Sequence, residues 1–344
     1  MLRIPRVEVV EPTTIDEALA LLAQHGDDAR VLAGGTDLLP NLKHEVETPK
    51  VVIGLWRLDA LRAVHATEAA LHLGPLATLA SLARDPRVAE TSPALVDALS
   101  QIAGPQLRSM GTIGGNVCLD TRCQFINQTY FWRHALGFCL KKDGTVCHVV
   151  AGGRRCVAAA SNDSAPVLMT LGATLVLRSA EGTRVVPIDS FYVANGQMNQ
   201  DRRRTELLTE IVVPRPAPGT IGAYVKLRTR AAIDFPELGV AVRARLGAGD
   251  LLEDVDVVLT ALAARPLRVP QLARFVGRPL DACTIAELGE AAYTRAHPLT
   301  NLATDPAYRR EMVPVFVRRA FERALTRREG GRRDGAGAAA EVSA

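Results

Sequence analysis

Apolar positions first recur with helical spacing between residues 15 and 25, where Ile15, Leu19 and Leu22 share one face. Thr14 and Glu17 stand at capping-box spacing ahead of that stretch, and Gly26 stands where a helix would stop. An apolar run at 30–33 then enters Gly34-Gly35-Thr36-Asp37 and a short helix, and residues 51–55 read as another buried strand. Ser92 is placed to cap a helix over 93–103, and strands follow at 173–178 and 184–188 around a Glu181-Gly182 turn. All periodicity is lost at Pro214-Arg215-Pro216-Ala217-Pro218-Gly219, which reads as a linker. Beyond it the chain alternates over 221–228, with Ile221, Ala223, Val225 and Leu227 on one face and Tyr224, Lys226 and Arg228 on the other. Residues 238–246 and 255–262 read as two more strands, and 306–327 as a closing helix striped by Tyr308, Met312, Val315, Phe316 and Ala320. The Gly-, Ala- and Arg-rich end, 329–344, is expected to be a disordered tail. No internal repeat is visible.

A length of 344 residues and 48% hydrophobic content allow a sizeable core and two or three domains. The net charge of +4 is too small to argue for nucleic acid, and Arg202–Arg204 and 327–333 read as solvated faces or tail. No apolar run approaches the ~20 residues of a membrane span, and residues 1–10 lack the apolar stretch of a signal peptide. A cytoplasmic protein with reduced cysteines is expected. Five of the six cysteines, Cys118, Cys123, Cys139, Cys147 and Cys156, fall between positions 118 and 156, so they form a candidate site rather than scattered core residues.

Two segments suit a dinucleotide's phosphates. In Leu32-Ala33-Gly34-Gly35-Thr36-Asp37-Leu38 a strand meets a glycine pair and a helix start, so backbone N–H groups can approach anionic oxygens. Thr112-Ile113-Gly114-Gly115-Asn116 repeats the pattern, and two such turns could clamp one pyrophosphate from both sides. Either glycine pair could equally be a purely structural turn. Neither G-x-G-x-x-G after a strand nor G-x-x-x-x-G-K-[ST] occurs, which argues against a nicotinamide Rossmann domain and a P-loop NTPase.

The motifs "AGGTDLL" and "GPQLRSMGTIGGN", followed by "SNDSAPVLMTLGATLVL" and the closing "AYRREMVPVFVRRAFERA", resemble the FAD-binding medium subunits of the xanthine dehydrogenase and carbon monoxide dehydrogenase superfamily of molybdenum hydroxylases. The similarity runs from about residue 5 to 327. It implies an α+β fold: a two-part FAD-binding domain of the PCMH/vanillyl-alcohol-oxidase type, then a CO dehydrogenase flavoprotein-like C-terminal α+β domain. The expected divisions are 1–60, 61–216 with a cysteine loop at 117–162, 217–328, and the tail. The resemblance implies that residues 32–38 together with Thr112, Gly114, Gly115 and Asn116 hold the FAD pyrophosphate. It further implies that Asp163, Leu207, Leu208 and Lys226 lie near the flavin, with Cys118 beside it. On residue type alone, Asp163 could be a turn or cap residue, the leucines plain core, and Lys226 an ordinary solvated strand lysine.

Residues 117–162, 46 in all, separate Asn116 from Asp163, where the resemblance implies a short segment. Four thiolates can close a tetrahedral site, and Gly144, Gly152 and Gly153 would let the loop wrap a compact core. No C-x-x-C knuckle is present, so spacing leaves zinc and iron–sulfur both open. His134 and His148 read as hydrogen-bonded scaffolding or further ligands, and Tyr130, Phe131 and Trp132 as the loop's own small core.

The segment "CLDTRCQFINQTYFWRHALGFCLKKDGTVCHVVAGGRRC" resembles the extra loop in β subunits of 4-hydroxybenzoyl-CoA reductases, which binds a [4Fe–4S] cluster. That resemblance implies Cys123, Cys139, Cys147 and Cys156 as cluster ligands. It implies an FAD- and [4Fe–4S]-carrying electron-transfer subunit with no catalytic residue of its own. The implied partners are a molybdopterin-containing large subunit, a small subunit with two [2Fe–2S] clusters, and ferredoxin as donor, in a heterohexamer that reductively dehydroxylates an aromatic acyl-CoA. The alternatives are the FAD subunit of a xanthine-, aldehyde- or CO-dehydrogenase-type hydroxylase, and a zinc-loop binding or assembly protein.

Overall fold

The computed structural model describes residues 2–341, with side chains to residue 330. Among these, twelve strands form three sheets: β1 (Glu8–Val10), β2 (Ala29–Leu32), β3 (Val51–Gly54), β4 (Val64–Ala66), β5 (Ala70–Leu73), β6 (Thr174–Ser179), β7 (Gly182–Pro187), β8 (Leu207–Pro214), β9 (Thr220–Leu227), β10 (Leu238–Leu246), β11 (Leu252–Thr260) and β12 (Leu267–Arg268).

The first sheet is parallel, in the order β1-β3-β2. The helix Ile15–His25 buries Ala18, Leu19 and Leu22 against it. Thr14 caps that helix by accepting from the Glu17 N–H, while the Glu17 carboxylate accepts from the Thr13 N–H at 2.7 Å. The reciprocal half of the expected box is therefore shifted back by one residue. Gly26 sits at φ +49° and its N–H closes the helix on the Leu22 carbonyl.

The second sheet is antiparallel, in the order β4-β5-β8-β6-β7. Its inner face carries Leu71, Leu73, Leu175, Leu177, Ile211 and Val213 into the largest core, which the helices Pro93–Gln101 and Ser164–Thr170 also fill. Strand β8 belongs here, so the chain returns to this sheet immediately before the Pro-rich connection to β9.

The third sheet, β12-β11-β10-β9, is antiparallel and packs against the helices Ala282–Arg295 and Pro306–Glu341. The last helix runs to Glu341. It continues past residue 329, where a tail without order was expected, and residues 342–344 lie outside the described residues.

The two faces of β9 depart from their expected contrast. Tyr224 and Lys226, on the supposedly polar face, are buried because that face packs on the helix Pro93–Gln101. Asp97 of that helix is buried too and receives the guanidinium groups of Arg323 and Arg327. Arg327, read from sequence as part of a solvated run, is thus a tie between the closing helix and the central core.

Candidate flavin site and thiol cluster

A cavity of about 660 Å³ opens between the first and second sheets, within the size range of small-molecule sites. Its walls include residues 33–38, the turn residues Thr112, Gly114, Gly115 and Asn116, and also Cys118, Leu207 and Leu208. Both glycine turns therefore reach one cavity. Leu32 sits directly behind its wall, with a methyl group 3.4 Å from where a Gly35 side chain would begin.

The two turns are held together by backbone contact. A side chain at Gly34 would collide with the Met110 carbonyl, and one at Gly114 would meet Pro75 at 2.5 Å. Gly35 is needed for a different reason, its φ of +72°. The turns also differ in their free donors. Gly111, Ile113, Gly114, Gly115 and Asn116 all donate within the protein, to Leu107, Ala77, Pro75, Thr112 Oγ1 and Thr112 respectively. Among the described residues, the N–H groups of Gly35, Thr36, Asp37 and Leu38 have no acceptor. The first turn thus offers a nest of donors to an anion, and the second forms the wall it rests on.

Charge around the cavity fits an anionic ligand. Arg30, Arg122, Lys141, Lys142, Arg202 and Arg204 border it, and the buried Nε atoms of Arg122 and Arg202 have no hydrogen-bond partner. Arg202 and Arg204, expected on a solvated face, are therefore part of this wall. Asp37 does not cap the following helix Leu38–Lys43. Its carboxylate instead accepts from Asn41 Nδ2 and pairs with Arg122, whose guanidinium also lies 3.7 Å over the Phe235 ring. Burial pushes the Asp37 carboxyl up and the Arg122 guanidinium down, and each opposes the other's shift.

Asp163 and Lys226 lie elsewhere. Neither lines the cavity; they form a buried ion pair at 3.1 Å, with Tyr224 donating to the same carboxylate at 2.7 Å and Lys226 also donating to the Gln101 carbonyl. Desolvation pushes the Asp163 carboxyl up and the Lys226 ammonium down, each opposed by its partner. The pair joins β9 to the N-terminus of the helix Ser164–Thr170, so its visible role is to dock the C-terminal sheet onto the central core.

The cysteine loop folds against the cavity's far wall. Cys123, Cys139 and Cys156 are buried and share a small cluster with Ile126 and Ala158, while Cys147 is half-buried. The Cys139 and Cys147 thiols push up those of both Cys123 and Cys156, so the four lie in one neighbourhood. Two backbone amides point at sulfur: Ala158 donates to Cys156 Sγ at 3.5 Å, and the Phe125 amide stabilises the Cys123 thiolate. Burial nevertheless pushes the Cys123 thiol up to about 11. Burial also raises Cys156, and the Lys141 ammonium opposes that shift. Among the described residues the four thiols are not drawn to single-ion spacing. Tetrahedral zinc, with Zn–S near 2.3 Å, would need its sulfurs about 3.8 Å apart.

Lys141 belongs to both places. Its side chain is buried, its Nζ donates to Asp120 Oδ1, Thr121 Oγ1 and the Gly196 carbonyl at 2.6–2.9 Å, and it also borders the cavity. Gly196 in turn donates to the Cys156 carbonyl, and a side chain there would meet Cys156 Sγ at 2.8 Å. His148 Nε2 lies 2.6 Å from the Phe138 carbonyl and its ring packs on Phe125, which matches scaffolding. The aromatic run departs from expectation. Phe131 is 82% exposed, and Tyr130 and Trp132 are also exposed, because the helix Tyr130–Ala135 turns Arg133 inward to the His44 carbonyl instead.

Arg122, Lys141 and Phe235 had not been singled out from the sequence. Adjacency to Cys123 was the available signal for Arg122; Phe235 arrives from the distant 229–236 connection and gave none. A separate cavity of about 430 Å³ near the 214–220 connection is lined by Arg243, Asp254, Arg268 and Asp256, whose charges are already matched in pairs.

A glycine turn with free amide donors, a cavity bordered by basic side chains and an appended antiparallel sheet fit a protein that binds an anionic cofactor. The chain belongs to the FAD-binding medium subunits of the molybdenum hydroxylases: residues 5–216 match the family described as FAD binding domain in molybdopterin dehydrogenase, and residues 223–324 match the CO dehydrogenase flavoprotein C-terminal domain. It is similar to the carbon monoxide dehydrogenase medium chain of Hydrogenophaga pseudoflava (29% identity, covering 94% of this chain and 98% of that one) and to the nicotinate dehydrogenase FAD-subunit of Eubacterium barkeri (26%, 94% and 98%). A solved structure of carbon monoxide dehydrogenase from Hydrogenophaga pseudoflava superposes with a TM-score of 0.78 at 28% identity, covering 94% of this chain and 99% of that one. The chain is an FAD-binding component of an oxidoreductase, and among the described residues no helix is long and apolar enough to cross a membrane.

Proposed function

We propose that this chain is the FAD- and [4Fe–4S]-carrying electron-transfer subunit of a molybdenum-containing, 4-hydroxybenzoyl-CoA reductase-like complex. The observation that carries this reading is that Cys123, Cys139, Cys147 and Cys156 lie in one neighbourhood beside Lys141, which also borders the flavin cavity. The loop's resemblance to the reductase loop favours a polynuclear iron–sulfur core over a single zinc ion. When bound, a one-electron cluster and a flavin that handles electrons singly or in pairs would join a one-electron donor to a two-electron reaction.

The chain's own residues do the positioning. The amides of 35–38 bind the dinucleotide's phosphates, Gly34 lets the first turn meet the 110–111 approach to the second, Gly114 lets the second turn pack on Pro75, and Leu207 and Leu208 give the cavity an apolar side. Cys118 adds a half-buried thiol to the same wall. Substrate chemistry belongs to a molybdopterin-containing large subunit, reached through a small subunit with two [2Fe–2S] clusters, and ferredoxin is the donor.

The names of the relatives favour a second reading, the FAD subunit of a hydroxylase acting on carbon monoxide, nicotinate or xanthine. Assembly with its partner subunits separates the two. Consumption of 4-hydroxybenzoyl-CoA with reduced ferredoxin supports the reductase. Oxidation of carbon monoxide, nicotinate or xanthine with an artificial acceptor, and no reaction of the thioester, overturns it.

A further inference from the structure

The outer face of the five-stranded sheet carries a cluster that neither the flavin cavity nor the cysteine loop uses. His65 on β4 and His72 on β5 are directly opposed in register, and their rings stack with centroids 4.4 Å apart and planes 7° from parallel. Glu210 on β8 lies two residues from Val212, the partner of His72, so its side chain leaves the same face. Its Oε1 is 2.9 Å from His72 Nδ1. The alternating neighbours Leu71, Leu73, Ile211 and Val213 point into the core, which fixes His72 and Glu210 outward. One ligand atom from each of His65, His72 and Glu210 can be chosen so that all three lie within 4.8 Å of one another.

We propose that His65, His72 and Glu210 form a transition-metal site. Two imidazoles and a carboxylate are a borderline nitrogen–oxygen set suited to zinc, nickel or copper, rather than the all-oxygen set that magnesium or calcium takes. Three protein ligands leave a four-coordinate ion one further position for water or for a donor from another molecule. His65 is exposed, so that position faces solvent. Strand β4 is an edge strand, and a bound ion would also tie it to β5 and β8. The ligands come from three adjacent strands of one sheet, so loading requires the stacked imidazoles to rotate about their side-chain bonds while the backbone stays in place. The site depends on neither cofactor of the proposed function.

Zinc is the probe. The full chain, loaded with FAD, is dialysed against micromolar Zn²⁺, the bound metal is counted, and its ligands are read from X-ray absorption. The wild type is expected to hold one zinc with only nitrogen and oxygen neighbours near 2.0–2.1 Å, distinct from any sulfur-bound zinc near 2.3 Å in the cysteine loop. His72→Ala and Glu210→Gln should each weaken that nitrogen–oxygen site by about tenfold or more. Flavin content should stay unchanged in both, and unaltered retention in Glu210→Gln guards against a simple folding defect in His72→Ala. Absence of nitrogen–oxygen-bound zinc in the wild type, or binding as tight as wild type in both variants, overturns the proposal.

Discussion

Arg122, the residue before the first cysteine of the proposed cluster, forms an ion pair with Asp37, the residue that closes the first glycine turn. The cysteine loop is therefore tied to the flavin cradle by a charged contact rather than lying beside it. Both groups are half-buried at the cavity wall, and Phe235 covers the guanidinium. Removing either partner leaves the other's charge poorly solvated.

Arg122→Ala and Asp37→Asn should each loosen FAD, and the double variant should lose less than the sum of the two. A coupling of about 1–3 kcal/mol is expected for groups in one network. Flavin titration of the apo forms in a double-mutant cycle checks this; strictly additive losses would show that the contact does not join the two sites.

The glycines separate into two kinds. Gly35→Val should expel FAD while the protein remains folded, because it strains a positive-φ position at the donor nest. Gly34→Val should instead reduce soluble protein, since its side chain would meet the Met110 carbonyl. Absorbance at the flavin bands together with the thermal midpoint distinguishes the two, and normal flavin content in Gly35→Val would remove the phosphate assignment.

The buried Asp163–Lys226 pair should matter for docking of the C-terminal sheet. Asp163→Asn or Lys226→Met leaves one buried charge without its partner and should cost about 3–5 kcal/mol, with Lys226→Met / Asp163→Asn together costing less than the sum. Denaturant melts measure the cost. A large drop in flavin affinity with an unchanged melt would place these residues at the flavin after all.

Metal or cluster loading at the thiols should release protons. Burial holds the Cys123 thiol at about 11, so it is protonated at neutral pH without a metal and deprotonated as a ligand. Affinity should therefore rise with pH throughout the range below 11 and fall in acid. Proton release measured in two buffers of different ionisation enthalpy tests the sign. Lys141→Met should keep the cluster but shift its reduction potential downward by some tens of millivolts, where ~59 mV is tenfold for one electron, because a nearby positive charge favours the reduced form. Lys141→Arg should restore most of that shift.

The sequence pattern located most strands to within a few residues, β10 at its observed limits, because each carries a buried apolar face. It was weakest where tertiary packing overrides local pattern. Lys226 and Tyr224 look solvated in an alternating strand and become buried only because a second domain covers them. Phe131 looks like core by composition, yet the buried partner of that helix is Arg133, bonded to a carbonyl 89 positions away in the chain. The cysteine set was legible because clustering in sequence is itself a signal. The roles of Arg122, Lys141 and Arg202 were not, since each depends on segments that meet only in the folded chain.

The most direct test is anaerobic purification of the chain with paired flavin, iron and acid-labile sulfide analysis and an electron paramagnetic resonance spectrum after reduction. About one FAD, four iron and four sulfide per chain are expected, with the signal of a reduced cluster. Flavin accompanied by zinc in place of iron, or by thiols that hold no metal, would contradict the proposed function.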